Sequence, residues 1–262
     1  MKTDLFKIGG LTVHGYGFMI ALGFILAMIL GEYRAKKLGL KDESVIDIAI
    51  IAGLTGFAGA KLLFIIVEFD SFIKNPKEVL GSSGFVVYGG IIAGVLCSML
   101  YCKIKKINFL EYFDLIMPEI ALAQGFGRIG CYLAGCCYGR VTDSAFGVIF
   151  PVGSQAPAGV KLIPTQLISA GANIIHMIIL IAVAHFIGYT IRKKDVRKLV
   201  LPAGGIGYLY MILYGIGRFL IEFLRNDYRG EIGILSTSQF ISIFFIAAGV
   251  VLLIIGKKKM QS

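Results

Sequence analysis

Apolar residues run in long unbroken blocks separated by short polar stretches. Seven blocks of about 20 residues can be marked, at residues 12–33, 46–67, 84–102, 110–134, 164–190, 203–224 and 236–256. A hydrocarbon layer about 30 Å thick needs about 20 residues of helix at 1.5 Å each. The blocks are continuous rather than alternating, which excludes a membrane barrel, whose strands alternate. The pattern predicts an all-α integral membrane protein with seven transmembrane helices in one polytopic domain, residues 1–262. Connections are short except for residues 136–163, which are rich in Gly, Pro and Ser. No tandem repeat and no pair of related halves, the usual mark of a transporter, is found.

Composition agrees with this. The chain is 57% hydrophobic, with a mean hydropathy of +0.82. A net charge of +10 would fit a nucleic-acid partner, but the basic residues sit in loops, where they report topology instead. One set of loops holds 15 Lys and Arg, including Arg34, Lys103, Lys193, Lys194, Arg197, Lys198 and Lys257; the other holds 8, including Lys2, Lys7, Arg140 and Arg229. The positive-inside rule then puts the N-terminus outside and the C-terminus in the cytoplasm. Lys2 and Lys7 precede the first block, but that block is span-length, so no cleavable signal is expected.

In this orientation the polar groups of all seven spans gather in their outer halves: Tyr16, Lys61, Tyr88 with Gly89 and Gly90, Arg128, Gln166, Arg218 with Glu222, and Gln239. One outward-facing polar cavity is the simplest expectation. Asp114 and Glu119, near the inner end of the fourth span, are the exceptions.

The fourth span ends in the stretch QGFGRIGCYLAGCCYGR, residues 124–140. Gln124, Arg128, Cys131 and Gly135 recur at helical spacing and share a face. An arginine on the lipid face would cost about 2.5–3.5 kcal/mol on insertion scales, so Arg128 must face a partner or a wet cavity. A guanidinium offers two parallel donors to phosphate oxygens, a geometry lysine lacks. Arg218, Glu222 and Arg225 stand at i, i+4 and i+7. That spacing fits an internal salt bridge, and it equally lets Glu222 hold Arg218 toward a phosphate. The five cysteines show no CxxC pairing with a second metal-binding pair, so no metal site and no cofactor are expected. Cys131, Cys136 and Cys137 read as buried thiols or as a reactive group beside Arg128.

These residues resemble the prolipoprotein diacylglyceryl transferase family across nearly the whole chain. The segments that carry the resemblance are GYGF around Tyr16, GAKL around Lys61, the Gly89–Gly90 pair, Asp114 and Pro118 with Gly127-Arg128-Ile129-Gly130, PTQL around Gln166, RFLIEF from Arg218, and LSTSQ at residues 235–239. The resemblance implies an enzyme of the bacterial cytoplasmic membrane with its site toward the outer face. Its partners would be membrane lipid, phosphatidylglycerol as donor and a prolipoprotein signal peptide as acceptor, with glycerol phosphate released. It implies that Arg128 and Arg218 grip the phosphate, that Glu222 orients Arg218, and that Tyr16, Lys61, Gly89, Gly90 and Gln166 line the lipid site. Tyr88 stands where the family has histidine, and the resemblance places it with Arg128 and Arg218 in the expected catalytic set. Cys131 replaces its asparagine, Gly135-Cys136 its Gly-Glu, and Ile168-Ser169 its Tyr-Glu. These departures leave open a paralogue with another acceptor, a non-enzymatic phospholipid-binding protein, and a thiol redox role.

Overall fold

A computed structural model of the chain describes residues 4–8, 11–82, 84–192, 201–226 and 231–261. In chain order the helices are α1 (Gly15–Leu38), α2 (Glu43–Val67), α3 (Phe69–Lys74), α4 (Pro76–Gly81), α5 (Val87–Lys105), α6 (Phe109–Ala134), α7 (Thr165–Arg192), α8 (Gly205–Glu222) and α9 (Thr237–Gln261). Each apolar block forms one long helix. The short α3 and α4 lie in a connection read as loop, with Pro76 in the first turn of α4, where its missing N–H is harmless.

The helical architecture is as expected, and short ribbons accompany the helices among the described residues. Three short antiparallel ribbons pair β1 (Asp4–Ile8) with β2 (Leu11–His14), β3 (Val148–Ile149) with β4 (Lys161–Leu162), and β5 (Glu231–Ile232) with β6 (Leu235–Ser236). Thr12 and Val13, placed in the first span by hydropathy, are β-branched and pair as strand.

Among the described residues five helices, α1, α2, α5, α7 and α9, are long and apolar enough to cross a membrane. The chain is therefore a multi-pass helical membrane protein. The other two long helices are the ones carrying Arg128 and Arg218. α6 also holds Glu111, Asp114 and Glu119, and α8 has only 18 residues. The basic residues Lys193, Lys194, Arg197 and Lys198, like Lys2 and Arg229, lie outside the described residues.

The chain divides into two compact units, Gly31–Tyr112 and Met1–Leu30 with Phe113–Ser262. In the first, α2 and α5 cross at glycine. A Cβ on Gly59 would come within 2.6 Å of the Gly89 carbonyl, and one on Gly90 within 2.7 Å of the Gly56 carbonyl. Lys61 donates to the Ser82 carbonyl at 2.8 Å, its hydroxyl at 3.3 Å and the Gly84 carbonyl at 3.4 Å. Its ammonium also sits 5.0 Å from the Phe64 and Phe85 ring centres, a cation–π arrangement.

In the second unit, α8 packs on α9 and α7. The core cluster includes Ala121, Leu180, Ile206 and Tyr210. Asp114 accepts from the Gly204 N–H at 2.8 Å and the Gly207 N–H at 2.9 Å. A carboxylate on these free donors suits the positive end of a helix. Asp114 thus ties α6 to the start of α8, which explains one polar group that did not fit the outer cluster.

Candidate active site

The expected site residues fall in both units. Lys61, Tyr88, Gly89 and Gly90 belong to Gly31–Tyr112. Tyr16, Arg128, Gln166, Arg218 and Glu222 belong to the other.

Within that other unit, Arg128 and Arg218 line one cavity of about 310 Å³. α7 contributes Ser169, Asn173 and His176, and α8 contributes Tyr214 and Gly217. Ser169, Asn173 and His176 stand at i, i+4 and i+7, which puts all three on one helix face.

The two guanidinium groups differ in what they already hold. Arg218 Nη2 lies 2.9 Å from Glu222 Oε2 and donates to Ser238 Oγ at 2.7 Å. Arg225 Nε is 4.0 Å from the same Glu222 oxygen. Glu222 therefore holds the base of Arg218 at the end of α8. Arg128 has no hydrogen-bond or ion-pair partner among the described residues. A cation in an apolar wall without a carboxylate needs an anion or water beside it.

His176 is 7% exposed, and its Nε2 has no hydrogen-bond partner among the described residues. Its ring stacks on Tyr210 at 5.1 Å with a 6° tilt, and Tyr210 stacks on Tyr214 at 5.6 Å. Tyr210 Oη donates to Gln124 Oε1 at 3.0 Å. Sequence reasoning did not single out His176, although its spacing from Ser169 and Asn173 was a legible signal.

Tyr16 is 45% exposed. Its backbone and ring lie against α6 at Gly130, where an added Cβ would come within 3.1 Å of the Tyr16 carbonyl oxygen. Gln166 is 1% exposed and donates through Nε2 to the Cys136 carbonyl at 2.8 Å. Thr165 Oγ1 donates to the Cys137 carbonyl at 2.8 Å. The start of α7 thus holds the turn that follows α6. Tyr88, 46% exposed, stands in the first turn of α5.

The sulfurs of Cys131, Cys136 and Cys137 all lie within 4.8 Å of one another. None of the five cysteines is in a disulfide. Hydrogen bonding with the Cys131 and Cys137 sulfurs, followed by burial, pushes the Cys136 thiol above its ordinary value. The spacing C-x4-C-C did not disclose this convergence. Gly135 at φ +73° and Cys137 at φ +63° fold the turn back on the helix.

Fold and cavity together define a polytopic helical membrane protein with a cationic chamber in one unit. Residues 3–255 match the model of a family described as prolipoprotein diacylglyceryl transferase, and the chain belongs to that family. It is 44% identical to a Clostridium tetani protein named phosphatidylglycerol–prolipoprotein diacylglyceryl transferase, over 95% of this chain and 96% of that one. A Clostridium perfringens protein of that name, numbered 2, is also 44% identical, over 99% and 97%. One from Finegoldia magna is 35% identical, over 99% and 97%.

Proposed function

We infer that this chain is a transferase that moves a diacylglyceryl group from phosphatidylglycerol to the lipobox cysteine of prolipoproteins. Family membership with 44% identity over nearly the full length supports the reaction. The observation that carries the site is two arginines on one cavity, one of them without a hydrogen-bond or ion-pair partner among the described residues.

In the reaction the acceptor cysteine loses its proton and its sulfur attacks the glyceryl carbon. A carbon–sulfur bond forms, the carbon–oxygen bond to phosphate breaks, and glycerol phosphate leaves. Negative charge grows on the departing phosphate, and donors fixed beforehand around it lower the barrier. We assign Arg128 and Arg218 to that phosphate and Glu222 to holding Arg218. The proton needs an acceptor. Tyr88, which replaces the family histidine, is a weak one at neutral pH, its ordinary value being about 10. His176, whose Nε2 has no hydrogen-bond partner among the described residues and which lines the same cavity as both arginines, is the group we assign to it.

The same proposal gives Tyr16, Tyr88, Lys61, Gly89, Gly90 and Gln166 to the lipid-binding region. Some of these also have structural work: the glycines allow a helix crossing, Lys61 binds the loop at Ser82, and Gln166 holds the turn at Cys136. The proposal also includes seven spans, an outer N-terminus, a cytoplasmic C-terminus and a site facing outward across the bacterial cytoplasmic membrane. Purified protein incubated with labelled phosphatidylglycerol and a lipobox peptide tests the reaction. The expected result is a peptide heavier by one diacylglyceryl group. Recovery of unmodified peptide with active relatives in parallel would overturn it.

A further inference from the structure

We propose that Cys131, Cys136 and Cys137 form a three-sulfur site for a thiophilic d10 cation, zinc(II) in particular, at the outer end of α6. Three thiolates around one ion at about 2.3 Å stand roughly 3.8–4.0 Å apart. The sulfurs here already lie within 4.8 Å of one another without an ion. A small rotation of each side chain closes the difference.

The site is built rather than incidental. Cys131 is the last buried residue of α6. The chain then turns through Gly135 and Cys137, both with positive φ. For Cys137 that conformation is uncommon outside glycine, Asn and Asp. It brings the third sulfur back toward the first. Three hydrogen bonds hold the turn: the Cys136 N–H to the Cys131 carbonyl at 3.1 Å, Gln166 to the Cys136 carbonyl, and Thr165 to the Cys137 carbonyl. Cys136 and Cys137 are only half-buried, so an ion can reach them. Sulfur donors alone favour zinc(II) or copper(I) over hard cations.

Three sulfurs leave one position of a tetrahedral ion unfilled by the cluster, as in sites that accept an external ligand. Binding converts neutral thiols to thiolates and releases protons. The proposal stands apart from the lipid-transfer reading because the metal alone reports on it.

The test uses reduced full-length protein in detergent. Cd2+ added alone gives a sulfur-to-metal charge-transfer band saturating at one ion per chain. Cys131→Ser, Cys136→Ser and Cys137→Ser each weaken binding at least about tenfold, the lower end for loss of even an outer-shell partner. Cys97→Ser and Cys102→Ser leave the band unchanged. A second measurement needs no variant. Zn2+ protects Cys131, Cys136 and Cys137 of the wild-type chain from alkylation, read by mass spectrometry, and leaves Cys97 reactive. Absence of the band, a band lost in the Cys97 or Cys102 variants, or equal alkylation with and without Zn2+ would overturn the site.

Discussion

Arg218 and Glu222 are one helical turn apart on α8 and 2.9 Å apart at their charged ends, whereas Arg128, on the same cavity, has no carboxylate partner among the described residues. Arg128→Ala and Arg218→Ala should each lower turnover by about 10²–10³, the effect of removing one preorganised donor from developing charge. Arg128→Lys should recover little, because an ammonium cannot offer two parallel donors. Transfer to a lipobox peptide measures both, with membrane insertion checked by fractionation.

Removing Glu222 should act on stability as well as rate. Glu222→Ala leaves Arg218 and Arg225 buried beside each other. Breaking a buried pair at one partner costs about 3–5 kcal/mol. Thermal unfolding in detergent should fall well below wild type, and Glu222→Gln should fall less. A Glu222→Ala protein that melts like wild type would remove the anchoring role.

His176→Gln keeps a polar group of similar size on the cavity and removes the proposed proton acceptor. Turnover should drop about 10²-fold or more, the usual contribution of a positioned base, with KM for phosphatidylglycerol little changed. A packing role alone would lower stability instead and leave the pH profile of turnover unmoved.

The glycine crossing makes a prediction about folding. Gly89→Ala drives a methyl into the Gly59 carbonyl, and forcing extra atoms into a packed contact costs about 1–3 kcal/mol. Gly171→Ala, where nothing lies within 4 Å of the new methyl, should be neutral or slightly stabilising, since alanine suits a helix interior better. Folded yield in detergent distinguishes the two.

The cap on α8 can be tested separately from chemistry. Asp114→Ala abandons the Gly204 and Gly207 N–H groups. The loss should be about 1–2 kcal/mol, as for other N-terminal caps. Asp114→Asn should recover part of it, because the amide oxygen still accepts while the charge is gone.

Helix positions were legible because long apolar blocks leave few alternatives: each of the seven became one helix. The ends were less so. Hydropathy placed Thr12 and Val13 in a span, although β-branched residues paired with the chain before them fold as strand. Arg128 and Arg218 were legible from the cost of burying a charge, and they do line one cavity. Asp114 was visible as an exception, but its partners are backbone groups of another helix, which side-chain patterns do not reveal. The cysteine cluster was hidden for a similar reason. Its geometry comes from two left-handed residues in a turn, and spacing rules for metal motifs assume other backbones.

The helices with the two arginines are the long helices, among the described residues, that fall outside the five most clearly apolar spans. Neither should partition into lipid as an isolated segment. α8 would enter paired with α9, and α6 only once its charged side chains have neighbours to turn toward. Nascent chains cut immediately after α6 or α8 should therefore stay partly on the aqueous side of the translocon, as glycosylation-site mapping would read it. Chains extended through α9 should be fully embedded. For this protein, placing Arg128 and Arg218 and completing biogenesis become a single late event.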